Sequence, residues 1–367
     1  MKGVLALKSG FWTTGELFGA AEESAGEVVF NTAHTGYPQV ITDPSYLGQI
    51  VTFTYPMIGN YGVQADELES PKVHASGVVV RQLFRPSLHP KASSTFAEFL
   101  EAQGVPGLSG VDTRMLTRHL REYGSLMGIL APAEREEDVA GVVQRARVLE
   151  GLEGKDLVKQ VLMGSKVELF RAQTRQDNAE ATRGLVLLCD LGAKHGIVRD
   201  WLSLGFDVLA YPGVPDWDVV RVHKPTLVCL SNGPGDPAAL TGEVERVRSF
   251  LGKVPVFGIC MGHQLLALAL GGRTQKLKFG HHGVNHPVVE LETRRVVITS
   301  QNHCYTIVPE SLPKHVRVTY TSLYDGTIEG MEVLDMGLQS VQFHPEASPG
   351  PLDPKFVYRR FLGAIHA

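Results

Sequence analysis

Along the first 90 residues the apolar positions fall in short β-capable runs, 3–7, 11–14, 26–30, 49–55 and 76–81, separated by turn-forming residues. No helical period is sustained there, so the pattern predicts a β-rich first part, mainly antiparallel or barrel-like. Helical spacing then takes over. Residues 94–103 open on Ser/Thr capping candidates, and residues 112–123 run from an Asp112 cap to a Gly124 stop. The second of these helices carries Met115, Leu116, His119, Leu120 and Tyr123 along one side, and His119 on that stripe reads as packing. A third helix is predicted over 133–149. Its acidic opening, Glu134-Arg135-Glu136-Glu137-Asp138, suits a helix N-terminus and needs no further role.

After Phe170 the apolar content drops, and residues 164–184 read as a linker between a domain of residues 1–163 and one of residues 185–367. Beyond it strands and helices alternate: strands 185–189, 207–211, 226–230 and 254–259, helices 194–204 and 242–251, and another after Ile259. Repeated alternation of this kind predicts a mostly parallel sheet with helices on both faces. Later strands over 288–291, 295–299, 317–321, 327–333 and 338–342 read as hairpins added to that sheet. The fold class is therefore α/β, with a β-rich amino-terminal domain that also carries helices.

Composition narrows the partners. A chain of 367 residues, 43% hydrophobic and 20% charged, suits a soluble globular protein of two ordinary domains. Its net charge of -4 supplies no basic surplus for nucleic acid or for an anionic membrane. There is no apolar run of about 18 residues, and Met1 to Lys8 is too short and too soon charged for a signal peptide, so a cytoplasmic location is expected. Cys189, Cys229, Cys260 and Cys304 are widely spread with no C-x-x-C, against a disulfide framework or zinc site. His281, His282 and His286 lack a Cys or carboxylate at a known ligand spacing, and we read them as packing or hydrogen-bonding groups, with no metal site.

One stretch carries chemistry. In Gly258-Ile259-Cys260-Met261-Gly262-His263-Gln264 a β-capable run ends in a thiol flanked by glycines and followed by an apolar helical run to Leu270. That is the layout of a nucleophile elbow, with sulfur as the reactive atom at the tip of a strand-to-helix turn. At the first turn of a helix the thiol meets unpaired N–H groups and the positive end of the dipole, which favour thiolate. Far downstream, His344-Pro345-Glu346 offers an imidazole and a carboxylate two residues apart. In an extended segment both fall on one face, and Pro345 disfavours the helical alternative for His344. Cys260, His344 and Glu346 thus form a candidate triad of nucleophile, base and orienter. The loop Ser231-Asn232-Gly233-Pro234-Gly235-Asp236-Pro237 follows a predicted strand and could present backbone N–H groups to an oxyanion, with the Met261 N–H as a second donor.

The two motifs together resemble the class I (triad) glutamine amidotransferases, which hydrolyse the side-chain amide of glutamine and pass on ammonia. First-half segments narrow the resemblance. Asn31-Thr32-Ala33-His34-Thr35-Gly36-Tyr37-Pro38, Thr42-Asp43-Pro44-Ser45-Tyr46, residues 54–62 and Asp112-Thr113-Arg114 are similar to the small-subunit family of carbamoyl phosphate synthetase, as are residues 279–287 and 344–351. The resemblance runs over nearly the whole chain. It implies Cys260, His344 and Glu346 as catalytic residues, with L-glutamine contacts from Ser45, Gly233, Gly235, Met261, Gln264, Asn302, Cys304 and Tyr305. Ser45 belongs to the first domain, so the resemblance implies that the domains pack together near the glutamine site. Cys304 and Tyr305 depart from the glycine and phenylalanine often found in the family, and a Cβ at Cys304 would be strained if that position needed positive φ.

No P-loop and no dinucleotide fingerprint occurs in the chain, so no cofactor is expected on it. The resemblance places ATP and its metal ion on a separate large subunit, the expected partner, which makes carbamoyl phosphate for arginine and pyrimidine synthesis. Other readings remain open from the sequence: a different amidotransferase, a free-standing γ-glutamyl hydrolase, or a non-catalytic regulatory scaffold that retains the motifs.

Overall fold

The computed structural model describes residues 1–86, 89–172 and 182–365. These form two compact units, Met1–Glu153 with Lys278–Val284, and Gly154–Leu277 with Asn285–Ala367 so far as these are described.

The first unit contains strands β1 (Lys2–Leu7), β2 (Trp12–Gly19), β3 (Ser24–Asn31), β4 (Gln49–Phe53), β5 (Met57–Ile58), β6 (Gly77–Val79), β7 (Gln82–Leu83), β8 (Pro106–Ser109) and β9 (Leu126–Pro132). Its helices are α1 (Tyr37–Thr42), α2 (Phe96–Ala102), α3 (Thr113–Tyr123) and α4 (Glu136–Arg147). Seven strands close into a barrel in the order β1-β2-β8-β6-β4-β3-β9, and β5 pairs with β7 apart from it. The barrel expected from the sequence is present, but it is mixed. The ladders β3/β4, β4/β6 and β6/β8 are parallel, and the other four are antiparallel. Parallel neighbours need crossovers, and the chain supplies them through α1 between β3 and β4, the segment with β5 between β4 and β6, and α2 between β6 and β8. Along β1 the side chains alternate: Leu5 and Leu7 join Leu116 and Leu120 of α3, while Val4 and Ala6 face Val142 and Ala146 of α4.

Two caps read from the sequence are in place. Asp112 accepts the Met115 N–H at 3.0 Å, α3 stops at Gly124, and a reciprocal Thr95/Glu98 capping box opens α2. His119 stacks on Phe11 at 4.5 Å.

The second unit continues with β10 (Glu168–Phe170), β11 (Leu185–Asp190), β12 (Asp207–Pro212), β13 (Leu227–Leu230), β14 (Val256–Ile259), β15 (Thr274–Glu290), β16 (Val296–Ile307), β17 (Arg317–Ser322), β18 (Ile328–Val333) and β19 (Leu338–Val341). Its helices are α5 (His195–Ser203), α6 (Trp217–His223), α7 (Thr241–Phe250), α8 (Met261–Ala269) and α9 (Phe356–Ile365). The sheet order is β10-β12-β11-β13-β14-β19-β18-β17-β15-β16. Its centre, from β12 to β19, is parallel, as the alternation predicts. β18 and β19 form the hairpin that the sequence predicts, and β19 joins it to the parallel centre beside β14, where Leu338 and Val341 are buried. Helices α6, α7 and α8 cover one face, and α5 and α9 the other. Leu187 and Cys189 of β11 point to the first of these cores and Val186 and Leu188 to the second, so each face is apolar in its own right.

The units part at Glu153/Gly154 and not at residue 163. Val158 is buried in the second unit's core, the Met163 N–H donates to Asp190 Oδ2 at 2.5 Å, and β10 pairs with β12 within the expected linker. Residues 173–181 of that linker lie outside the described residues.

Phe257 of β14 is fully enclosed, with ring contacts to Trp201, Tyr358 and Phe361 at 6.1, 5.5 and 5.0 Å. Truncating it leaves a cavity that rigid neighbours cannot fill. Phe257→Ala is expected to destabilise the second unit by about 3–5 kcal/mol, measured as a lowered urea midpoint.

Candidate active site

β14 ends at Ile259, α8 begins at Met261, and Cys260 is the single residue between them, with φ 53° and ψ -103°. A side chain rarely adopts such a backbone, and the cost, of order 1–3 kcal/mol, persists only where surroundings enforce it. Here they do. The Cys260 N–H donates to the Val341 carbonyl at 2.9 Å, and the Gly262 N–H to the Ser231 carbonyl at 3.0 Å. A Cβ at Gly262 would lie 2.4 Å from the Leu230 oxygen, and one at Gly258 2.6 Å from Leu266 Cδ1, so only glycines let helix and strands approach this closely. The elbow expected from the sequence is thus built by close packing on both sides of the thiol. Cys260 is 2% exposed, and its S–H donates to the Asn302 carbonyl at 3.5 Å.

His344 follows β19, and its N–H donates to the Ser300 carbonyl of β16 at 2.9 Å. Its Nδ1 lies 2.6 Å from Glu346 Oε1, so the two side chains two residues apart do share a face. The Cys260 sulfur lies within electrostatic reach of the imidazole, whose Nε2 makes no hydrogen bond among the described residues. Burial opposes charge on His344, but Glu346 and Cys260 outweigh it and raise its pKa to about 10. Burial likewise opposes a Glu346 carboxylate, yet the charges of Lys194 and then His344 hold its pKa at about 2.

Lys194 was not legible as a site residue. Its side chain is 2% exposed, its Nζ lies 3.1 Å from Glu346 Oε1, and it also donates to the Ala347 carbonyl. Lysines are almost never buried unless paired, so sequence alone assigns one to the surface. Here its N–H is anchored on Asn232 Oδ1 at 3.1 Å, just before α5. The only signal is its place after β11, where parallel sheets collect functional groups.

The remaining candidates of this unit lie on one loop, on helix α8 and on one strand. Gly233 packs so closely that a Cβ would lie 2.3 Å from the Leu191 oxygen, and Gly235 has φ 90°. Met261 is the first residue of α8, where an N–H has no partner within the helix. Gln264, one turn on, donates from Nε2 to the Tyr305 carbonyl at 2.8 Å and to Gln342 Oε1 at 3.0 Å. Asn302, Cys304 and Tyr305 all lie on β16. Cys304 is not among the residues of positive φ, so its Cβ brings no backbone strain. Ser45 belongs to the first unit, buried on a short 3₁₀ turn (Pro44–Tyr46), where its N–H donates to Asp43 Oδ1 at 2.9 Å.

A strained cysteine at a strand-to-helix elbow, with a buried His–Glu pair near it in a mostly parallel sheet, defines the class I glutamine amidotransferases, whose family model matches residues 187–364. Residues 5–130 match a second model, "Carbamoyl-phosphate synthase small chain, CPSase domain". Relatives bearing the name carbamoyl phosphate synthase small chain include that of Bacillus caldolyticus, 44% identical across 100% of this chain and 97% of its own. That of Methanopyrus kandleri is also 44% identical, across 99% and 98%. A pyrimidine-specific small chain from Bacillus subtilis is 42% identical across 100% and 96%. The chain belongs to the carbamoyl phosphate synthase small chain family. No helix among its described residues is long and apolar enough to cross a membrane.

Two outcomes follow from this geometry. Gly262→Ala is expected to push the helix off the strand and lower the rate of Cys260 alkylation at neutral pH about tenfold or more, with the circular dichroism spectrum unchanged. The second concerns charge. A His344 pKa raised from 6.5 to about 10 stabilises the fold fully below pH 6.5 and less as pH climbs toward 10. A Glu346 pKa lowered from 4.5 to about 2 stabilises it fully above pH 4.5 and less as pH falls toward 2. The stability lost in Glu346→Gln should therefore be greatest between pH 4.5 and 6.5, read from urea midpoints of both proteins across pH.

Proposed function

We propose that this chain is the glutaminase subunit of a cytoplasmic carbamoyl phosphate synthase: it hydrolyses L-glutamine and delivers the ammonia to a separate large chain. The observation that carries the reading is the Cys260 thiol at its elbow, near an imidazole that the Glu346 carboxylate biases toward the charged form.

In this reading the Cys260 thiolate attacks the side-chain carbonyl carbon of glutamine. The oxygen that gains charge is met by N–H groups of Gly233 and Met261. Collapse of the tetrahedral intermediate breaks the C–N bond, and His344 gives its proton to the departing nitrogen, which leaves as ammonia. Water, deprotonated by His344, then cleaves the γ-glutamyl thioester to glutamate and restores the thiol. The amino-acid end of the substrate needs polar partners of both signs, and Ser45, Gly235, Gln264, Asn302, Cys304 and Tyr305 are the proposed set. Gln264 has its amide nitrogen committed to Tyr305 and Gln342, so its oxygen is the atom that suits the substrate ammonium. This chain takes no cofactor in the scheme. ATP, its metal ion and bicarbonate belong to the large chain, which joins them with the delivered ammonia.

The test is Cys260→Ser in the assembled complex. Glutamine-dependent carbamoyl phosphate synthesis should fall by at least about a thousandfold, while synthesis from added ammonia persists and no thioester forms with labelled glutamine. A variant that keeps glutamine-dependent synthesis, or loses the ammonia reaction as well, counts against this division of labour.

A further inference from the structure

Two successive residues of α8 reach across to the same stretch of chain. His263 Nδ1 lies 2.8 Å from Ser340 Oγ, and Gln264 Nε2 donates to Gln342 Oε1 at 3.0 Å. Ser340 is on β19, and Gln342 stands just past its end, two residues before His344. Leu338 packs in one core with Leu265 and Leu266 of α8, while Val341 and Phe343 belong to the opposite core. Residues 338, 340 and 342 thus form the row that faces the helix. All four polar partners are buried, and Gln342 is fully enclosed at 0% exposure.

The Gln264 amide is the informative member. It has two N–H bonds and both are used, one on Gln342 Oε1 and one on the Tyr305 carbonyl of β16 at 2.8 Å. The amide is planar, so its oxygen points away from these two acceptors. Turning it over would set oxygen against oxygen at both places. Gln342 cannot follow such a turn freely, because its own N–H is held on the Glu329 carbonyl at 2.9 Å. Gln264 also sits one turn beyond the nucleophile, with its N–H on the Cys260 carbonyl at 3.1 Å. Both side chains turn toward β16, the sulfur to the Asn302 carbonyl at 3.5 Å and the amide to that of Tyr305. Amide and thiol therefore lie along one side of α8, against one strand.

We propose that Gln342 is a positioning residue for substrate recognition: its side-chain oxygen fixes the Gln264 amide in the one orientation that offers a carbonyl oxygen to the α-ammonium of L-glutamine. Gln342 does not itself touch the substrate; it acts through Gln264. A neutral amide reads a cation only when its oxygen is set in place beforehand, since the other end of the same group carries N–H donors that repel it. The α-ammonium lies away from the bond that breaks, so this contact is made equally before and during the reaction. Its loss belongs in KM and not in kcat.

The proposal deepens the glutaminase reading and rests on it. In the assembled complex, Gln342→Leu keeps the bulk and removes the acceptor. KM for glutamine should rise about three- to tenfold, with kcat within about twofold of the wild type. Gln342→Glu restores an acceptor oxygen at the same place, and KM should return most of the way, although a carboxyl in a fully enclosed position lowers the unfolding midpoint. Ser340→Ala breaks the neighbouring tie between α8 and β19, and should lower the midpoint while leaving KM near the wild-type value. An unchanged KM in Gln342→Leu, a loss carried by kcat, no recovery in Gln342→Glu, or an equal rise of KM in Ser340→Ala would each overturn the proposal. Should the Gln342 variants not fold, the Cys260→Ser complex crystallised with glutamine decides. Gln264 Oε1 should then lie within hydrogen-bond distance of the substrate α-nitrogen while Gln264 Nε2 stays on Gln342 Oε1, and an α-ammonium held without Gln264 overturns the proposal. A wild type that turns over no glutamine defeats the glutaminase reading and this proposal with it, whereas an active wild type with an unaltered Gln342→Leu defeats the proposal alone.

Discussion

The structure depends on how tightly α8 is pressed against the ends of β13 and β14. Close approach at Gly258 and Gly262 leaves one residue to turn the chain from strand to helix, and that residue must adopt a backbone that L-amino acids disfavour. The strain at Cys260 is balanced by the burial of Met261, Leu265, Leu266 and Ala267 in the core beneath the helix. Each such side chain contributes about 1.5–3 kcal/mol, except the smaller alanine. Packing therefore sets the direction of the thiol, and the same apolar contacts that fold the unit aim its reactive atom.

Charge completes what packing begins. Lys194, Glu346, His344 and Cys260 form a line of buried groups that alternate in sign when ionised, and breaking such a line at one member leaves a charge without its partner. The line draws on the turn between β11 and α5, on the turn after β14 and on the segment after β19, all at strand ends of the parallel block β11-β13-β14-β19. A sheet of this type gathers its strand ends on one edge, which is why residues as far apart as 194, 260 and 344 can meet.

The parts legible in the sequence were those with a local cause. Flanking glycines announced the elbow at Cys260, and proline between His344 and Glu346 announced an extended segment with both side chains on one face. Capping residues announced α2 and α3. The parts that escaped have non-local causes. α1 is buried at five of its six positions, so it shows no polar face to mark a helical period. β16 runs far beyond its expected bounds because buried Gln301, Asn302 and His303 break the apolar pattern of a strand. The parallel ladders of the barrel follow from pairing between strands distant in sequence, and Lys194 entered the site only because Glu346 was there to receive it.

One feature of the fold bears on how the chain can be divided. Residues 278–284 interrupt the second unit's sequence yet cluster with the first, where the Ser125 N–H donates to the Lys278 carbonyl, Phe279 meets Phe30 at 5.6 Å, and the Thr32 N–H donates to the His282 carbonyl. No single cut of the polypeptide yields both units whole. A gene fragment ending at Glu153 would encode a barrel missing the piece that covers Phe30, and its complement would carry that piece as an orphan inside β15. Separating the units cleanly would therefore require excising residues 278–284 from within β15 as well as cutting after Glu153.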